Sequence, residues 1–175
     1  MEEKIIEKAK RVKLLLLDVD GVLTDGRIIY DSRAQDMKFF DVHDGMGVYL
    51  LKKAGIPTVL ITAKGSRAIK PRARDMQVAE VYADVSPKSA ALEKITRQYK
   101  VSLEEICFVG DDLVDLCLMK RVGFPIAVAN AVPEIKNLAS HITSRLGGRG
   151  AVREVAELLL KSQNKWEGLV DAYQA

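Results

Sequence analysis

Two cysteines and two histidines in 175 residues leave little material for a thiolate or imidazole metal site. Cys107 and Cys117 lie in apolar surroundings, without Cys-x-x-Cys spacing and without a neighbouring histidine. They read as two small buried hydrophobes rather than a zinc or redox pair. His43 and His141 form no His-Glu-x-x-His spacing. Long apolar runs are missing too: Leu14 to Leu17 falls far short of the ~20 residues that a membrane span needs. The start, Met1-Glu2-Glu3-Lys4, lacks the basic-then-apolar layout of a secretory signal. With so few cysteines, the expected compartment is a reducing cytoplasm. Charge of one sign is scarce as well, 27 Lys+Arg against 24 Asp+Glu giving +3. Without a basic block that balance gives no footprint for nucleic acid. No internal repeat, no phosphate-binding G-x-x-x-x-G-K-(S/T) loop and no G-x-S-x-G elbow occurs.

What is present suits a soluble globular chain, with 48% hydrophobic and 29% charged residues. The length predicts one domain over residues 1–175, able to bury roughly two-thirds of its unfolded surface. Residues 12–17, 57–61, 106–109 and 125–128 read as buried strands. Residues 47–54, 67–76, 88–99, 113–120 and 149–162 read as helices. The alternation predicts an α/β fold, Rossmann-like, with a mainly parallel sheet, right-handed crossovers and helices on both faces. One stretch breaks the pattern. In residues 26–40, Arg27-Ile28-Ile29-Tyr30 and Met37-Lys38-Phe39-Phe40 flank the turn-like Asp31-Ser32-Arg33, predicting a β-hairpin. It follows the first strand directly, near the end of the sheet where open α/β folds bind ligands.

Asp18-Val19-Asp20-Gly21 follows that strand. Two carboxylates held this close beyond a buried strand repel each other and lose hydration. A divalent cation relieves both, and a hard ion such as Mg²⁺ takes oxygen ligands of this kind. Taken alone, the motif reads equally well as a polar turn. Gly110-Asp111-Asp112-Leu113-Val114-Asp115 likewise follows an apolar run. Capping a helix needs one carboxylate rather than three, so two acidic clusters at two strand ends predict convergence on one cation. Thr62-Ala63-Lys64-Gly65-Ser66 ends another strand with a hydroxyl and amides able to bind an anion. Lys88 opens the next helix.

In this order the four motifs resemble the haloacid dehalogenase superfamily of phosphotransferases, over nearly the whole chain. Asp18, Asp20, Val22 and Leu23 match its Asp-x-Asp-x-(Thr/Val)-(Leu/Val) box. Thr62 matches its hydroxyl at a strand end, Lys88 its lysine, and Gly110, Asp111 and Asp115 its Gly-Asp-x-x-x-Asp box. The resemblance implies that Asp18 attacks phosphorus and that Asp20 serves as general acid, then base. It implies Mg²⁺ held by Asp18, the main-chain carbonyl of Asp20 and Asp111, supported by Asp115 or Asp112. Thr62 and Lys88 would hold phosphoryl oxygens, and Lys88 also the nucleophilic carboxylate.

The stretches from Asp20 to Thr62 and from Thr62 to Lys88 are too short for an inserted cap domain, so the site is either open to water, which suits large substrates, or covered by another subunit. Leu23-Thr24-Asp25-Gly26, the stretch from Phe40 to Gly47 and Gly147-Gly148-Arg149-Gly150-Ala151-Val152-Arg153-Glu154 narrow the resemblance. They resemble phosphatases of 3-deoxy-D-manno-octulosonate 8-phosphate, a keto-sugar acid phosphate of lipopolysaccharide precursor synthesis. The family resemblance implies sugar contacts from Asp41, Val42, His43, Asp44 and Gly45. It makes Lys64, beside Ala63, and Arg72 candidates for the substrate carboxylate or phosphate. It also implies a homotetramer in which the hairpin 26–40 and the tail 163–175 help to close a neighbour's site. Ala63 and Lys64 depart from the Thr-Gly-Arg of many relatives, replacing a bidentate grip by a point charge. Two readings stay open: a phosphatase of a nine-carbon keto-sugar acid 9-phosphate, and a non-catalytic module like those attached to cytidylyltransferases. The complete catalytic set argues against the second, and Asp20 argues against a phospho-acceptor receiver domain.

Overall fold

Four consecutive leucines, Leu14–Leu17, are all buried, as in a strand covered on both faces. Each contributes roughly 1.5–3 kcal/mol by leaving water. In the computed structural model, which describes residues 2–174, they form β1. The hairpin strands are β2 (Ile29–Tyr30) and β3 (Asp36–Met37). The sheet continues with β4 (Thr58–Ile61), β5 (Glu80–Tyr82), β6 (Ile106–Gly110), β7 (Phe124–Ala127) and β8 (His141–Ile142). The strand order is β5-β4-β1-β6-β7-β8, every pair parallel. From β1 the chain winds outward through β4 to β5, then returns to β6 on the other side of β1. The order therefore reverses at the β4–β1–β6 centre, and a crevice opens beyond the C-terminal ends of these strands.

The helices are α1 (Glu2–Arg11), α2 (Val42–Lys53), α3 (Ile69–Asp75), α4 (Leu92–Tyr99), α5 (Leu116–Met119), α6 (Pro133–Leu138), α7 (Ala151–Ser162) and α8 (Trp166–Asp171). Right-handed crossovers place α2 and α3 on one face and α4, α5 and α6 on the other. Helix α7 returns to the first face, packed along α2 and α1. Between Asp20 and Thr62 lie only the hairpin, α2 and β4, and between Thr62 and Lys88 only α3 and β5. No helix among the described residues is long and apolar enough to cross a membrane.

Several boundaries depart from the sequence reading. Helix α2 starts at Val42 rather than 47, because the Asp41 carboxylate caps it, accepting from the His43 amide at 2.7 Å. The segment 88–99 begins as a 3₁₀ turn, Lys88–Ala91, and 113–120 begins as another, Leu113–Asp115. The second is tightened by the Asp115 carboxylate, which turns back to the amides of Asp111 and Asp112. Cys107 is buried as expected, but Cys117 is only partly so. The tail folds onto its own chain. Gln163 donates to the carbonyls of Ala9 and Val12, and Trp166 in α8 lies under Arg153 and Lys161 at 5.2 and 5.1 Å.

Candidate active site

Asp18 stands one residue past β1, Thr62 one past β4, and Asp111 one past β6, so three neighbouring strands deliver three functional side chains to one edge. Together with Asp20, Gly26, Ala63, Lys64, Lys88, Asp112 and Val114 they line a cleft of about 250 Å³. A larger cleft of about 570 Å³ opens at the opposite ends of the strands, among Lys10, Lys13, Lys100 and Lys165. Glu105 is the one carboxylate there, so it offers no convergent acid or nucleophile.

Three carboxylates, Asp18, Asp111 and Asp115, bring oxygens within 4.8 Å of one another. Lys88 bridges two of them, with Nζ 2.7 Å from Asp18 Oδ1 and 2.6 Å from Asp115 Oδ1. It is 1% exposed, Asp18 4% and Asp115 0%. One ammonium against three carboxylates leaves the cluster short of positive charge. Burial, then Asp115, pushes the Asp18 carboxyl up to about 7 against the pull of Lys88. Burial, then Asp18 and Asp115, pushes Asp111 up to about 8. Burial lowers the Lys88 ammonium, but the facing Asp18 and Asp115 outweigh it and hold it above its ordinary value. Asp111 Oδ1 is buried without a hydrogen-bond partner. An orphaned oxygen in an oxygen-only donor set fits a hard divalent cation such as Mg²⁺. Asp115, rather than the exposed Asp112, is the second acidic neighbour, since Asp112 caps the 3₁₀ turn through the Leu113 amide. Gly21 has φ +86°, and a Cβ there would collide with the Asp111 carboxylate.

The other expected residues divide into two groups. Thr62 is buried in the cleft wall, its hydroxyl donating to the Lys64 carbonyl at 3.1 Å. Lys64 is exposed, with Nζ 3.3 Å from Tyr30 Oη on the hairpin. Asp41, Val42, His43, Asp44, Gly45 and Arg72 do not line the cleft and gather instead around the start of α2. There Arg72 donates to the Asp41 carbonyl at 2.7 Å and packs 5.6 Å from the Phe40 ring. Gly45 leaves room for that guanidinium. Val42 and His43 point to solvent. Asp44, expected as a sugar contact, is 1% exposed and accepts from the Arg153 and Gly150 amides at 2.8 and 3.3 Å. Its carboxylate caps α7, whose first turn has no cap of its own at Gly150.

Gly147 and Gly148 form a backstop to the nucleophile loop. The Gly148 amide donates to the Val22 carbonyl at 2.9 Å, and a Cβ on Gly147 would strike the Gly21 carbonyl. One further residue was missed by sequence reasoning. Lys38, just past β3, reaches the Asp20 carboxylate. A lysine two positions after Asp36 on a strand arm was the only available signal, and it is weak.

A cation-ready acidic cluster with a buried lysine, at the switch point of a capless parallel sheet, defines a phosphotransferase site of the haloacid dehalogenase kind. The family model for haloacid dehalogenase-like hydrolases matches residues 72–155. The chain is 36% identical over 166 residues to 3-deoxy-D-manno-octulosonate 8-phosphate phosphatase of Yersinia pestis, covering 95% of this chain and 89% of that protein. Its Escherichia coli counterpart is 37% identical over 161 residues, covering 92% and 86%. The Moraxella catarrhalis phosphatase, solved in complex with magnesium, phosphate and KDO, superposes with a TM-score of 0.94 at 37% identity, covering 98% of each chain. The cobalt-bound Haemophilus influenzae enzyme gives 0.87 at 34% identity, over 90% of this chain and 92% of that one. The chain belongs to the 3-deoxy-D-manno-octulosonate 8-phosphate phosphatase family.

Proposed function

We propose that this chain hydrolyses 3-deoxy-D-manno-octulosonate 8-phosphate to the free sugar acid and inorganic phosphate, supplying a precursor of lipopolysaccharide. The observation that carries the reading is the buried Asp18–Lys88–Asp115 bridge beside the partnerless Asp111 oxygen. Asp18 Oδ1 accepts from the Val19 amide at 2.7 Å as well as from Lys88, while Oδ2 takes no hydrogen bond from the described residues. That free oxygen is the nucleophile. It forms a bond to phosphorus as the bond from phosphorus to the sugar oxygen breaks. Asp20 gives its proton to the departing sugar oxygen. Its carboxylate then takes a proton from water, whose oxygen attacks phosphorus, releases phosphate and regenerates Asp18. Lys88 fixes the Asp18 carboxylate and meets charge on the phosphoryl oxygens, helped by Thr62 once its hydroxyl leaves the Lys64 carbonyl. Mg²⁺ held by Asp18, the Asp20 main-chain carbonyl and Asp111, with Asp115 behind, would supply charge neutralisation. Lys64 and Arg72 are the candidate partners of the substrate's anionic groups, and Ala63 shapes the loop between Thr62 and Lys64. The full acid, base and nucleophile set favours an enzyme over a non-catalytic module.

The same reading places the protein in the cytoplasm as a homotetramer, supported by the absence of a cap and by the exposed apolar hairpin. Phosphate release from a panel of eight- and nine-carbon keto-sugar acid phosphates, with Mg²⁺ and with excess chelator, tests it. The expected result is a strong preference for the eight-carbon 8-phosphate and loss of turnover with chelator. A preference for the nine-carbon ester would reassign the substrate. Full turnover in chelator would remove the metal from the reaction.

A further inference from the structure

Asp20 is held differently from Asp18 and Asp115. Asp18 accepts from Lys88 and the Val19 amide, and Asp115 from Lys88 and two amides. The Asp20 carboxylate, 39% exposed, has one hydrogen-bond partner among the described residues, the Lys38 ammonium. That ammonium arrives from 18 positions along the chain, on the far arm of the hairpin. The Lys38 side chain is only 8% exposed, and its second contact is Asp36 at 3.5 Å. Asp36 and Lys38 share one side of an extended arm, while Met37 and Phe39, 44% and 60% exposed, take the other. The hairpin thus turns a charged side to the cleft and an apolar side outward. Placing a lysine there costs rotamer freedom and hydration, and Lys38 has no place in the hydrophobic core.

We propose that Lys38 is a positioning residue that fixes the Asp20 carboxyl group within reach of the leaving oxygen, making the hairpin part of the proton-transfer machinery. The role rests on the reading of Asp20 as acid and base given above. A proton-transfer group works only when held at hydrogen-bond reach of the atom it serves, about 2.6–3.2 Å. An exposed aspartate without a partner samples several rotamers instead. Lys38 itself makes no bond to phosphorus; the proton passes from Asp20 to the departing oxygen.

The test compares two phosphomonoesters in the presence of Mg²⁺. 3-Deoxy-D-manno-octulosonate 8-phosphate expels an alkoxide that needs a proton, whereas 4-nitrophenyl phosphate expels a stabilised anion that does not. Lys38→Met should lower kcat/KM on the sugar ester, which reports only the steps through expulsion of the sugar oxygen, by roughly 10- to 100-fold, the scale of a mispositioned general acid. It should leave kcat/KM on the aryl ester within about threefold, and Lys38→Arg should restore most of the loss on the sugar ester. Asp20→Asn should show the same dependence on the leaving group, and the double variant should be no slower than Asp20→Asn alone. Unchanged thermal unfolding would show that the variants fold, and Lys38→Gln serves should the methionine variant fail. Equal losses on both esters for the Lys38 variants, or losses that multiply with Asp20→Asn, would overturn the role of Lys38. Equal losses for Asp20→Asn alone would instead overturn the acid assignment on which it rests.

Discussion

At Asp18 a substitution that keeps volume and removes charge separates chemistry from folding. Asp18→Asn should lower kcat by at least about 10³-fold, because the attacking oxygen is gone. Its unfolding midpoint without metal should not fall, since one of three mutually repelling carboxylates has been neutralised. A variant keeping a tenth of the activity, a barrier change of ~1.4 kcal/mol, would exclude the covalent route. Gly21 makes a second case. At φ +86°, with Asp111 where a Cβ would stand, Gly21→Ala must strain the turn and push the carboxylate aside. The Mg²⁺ concentration for half-maximal activity should rise by an order of magnitude or more, as a metal titration would show. An unchanged titration would mean that Asp111 does not hold the cation.

At the scale of elements, the join between α2 and α7 depends on Asp44. Burial pushes its carboxyl up to about 6, against the lowering effect of the Arg153 and Gly150 amides. The folded value lies above the ordinary 3.8, so between about pH 6 and 4 the folded state binds more protons than the unfolded one. The sign follows: this group costs stability at neutral pH, and the cost is relieved as the pH falls through 6. Denaturant unfolding at pH 7 and pH 5 should show the wild type gaining about 1 kcal/mol more than Asp44→Asn over that interval. An equal change in both proteins would refute the assignment. The same residue shows what a sequence conceals. Asp18, Asp20 and Asp111 stood out as carboxylates just past apolar strands, whereas Thr62 and Lys88 were legible only through the order of the motifs and the family resemblance. Asp44 acts on amides 106 and 109 positions away, and Lys38 on a carboxylate 18 positions back. No local pattern marks either. The four core strands β1, β4, β6 and β7 were legible from apolar runs, whereas β8, two residues long, and the short α6 and α8 carry too little periodicity to register.

At the scale of the whole molecule, the apolar side of the hairpin has no partner among the described residues. Met37 is 44% exposed and Phe39 60%, on an element whose strands have two residues each. So short a hairpin is marginal by itself in water, and a clustered apolar surface usually marks a contact. The tail does not cover it, since Gln163 and Trp166 tie that segment to α1 and α7 of the same chain. The hairpin is therefore one element available to meet another subunit. A closed, symmetric assembly would bury its outer side while its inner side keeps Lys38 on Asp20 and Tyr30 beside Lys64. Sedimentation of the wild type at micromolar concentration should give a tetramer, and paired Met37→Asp and Phe39→Asp substitutions should shift it toward the monomer. Activity on the sugar acid phosphate should fall with dissociation, mainly through KM. Mg²⁺ affinity should hold, because Asp18, Asp111 and Asp115 come from one chain. A fully active wild-type monomer would defeat the assembly. A dissociated variant with full activity would show instead that the hairpin's outer side serves association alone, and that one chain closes its own site.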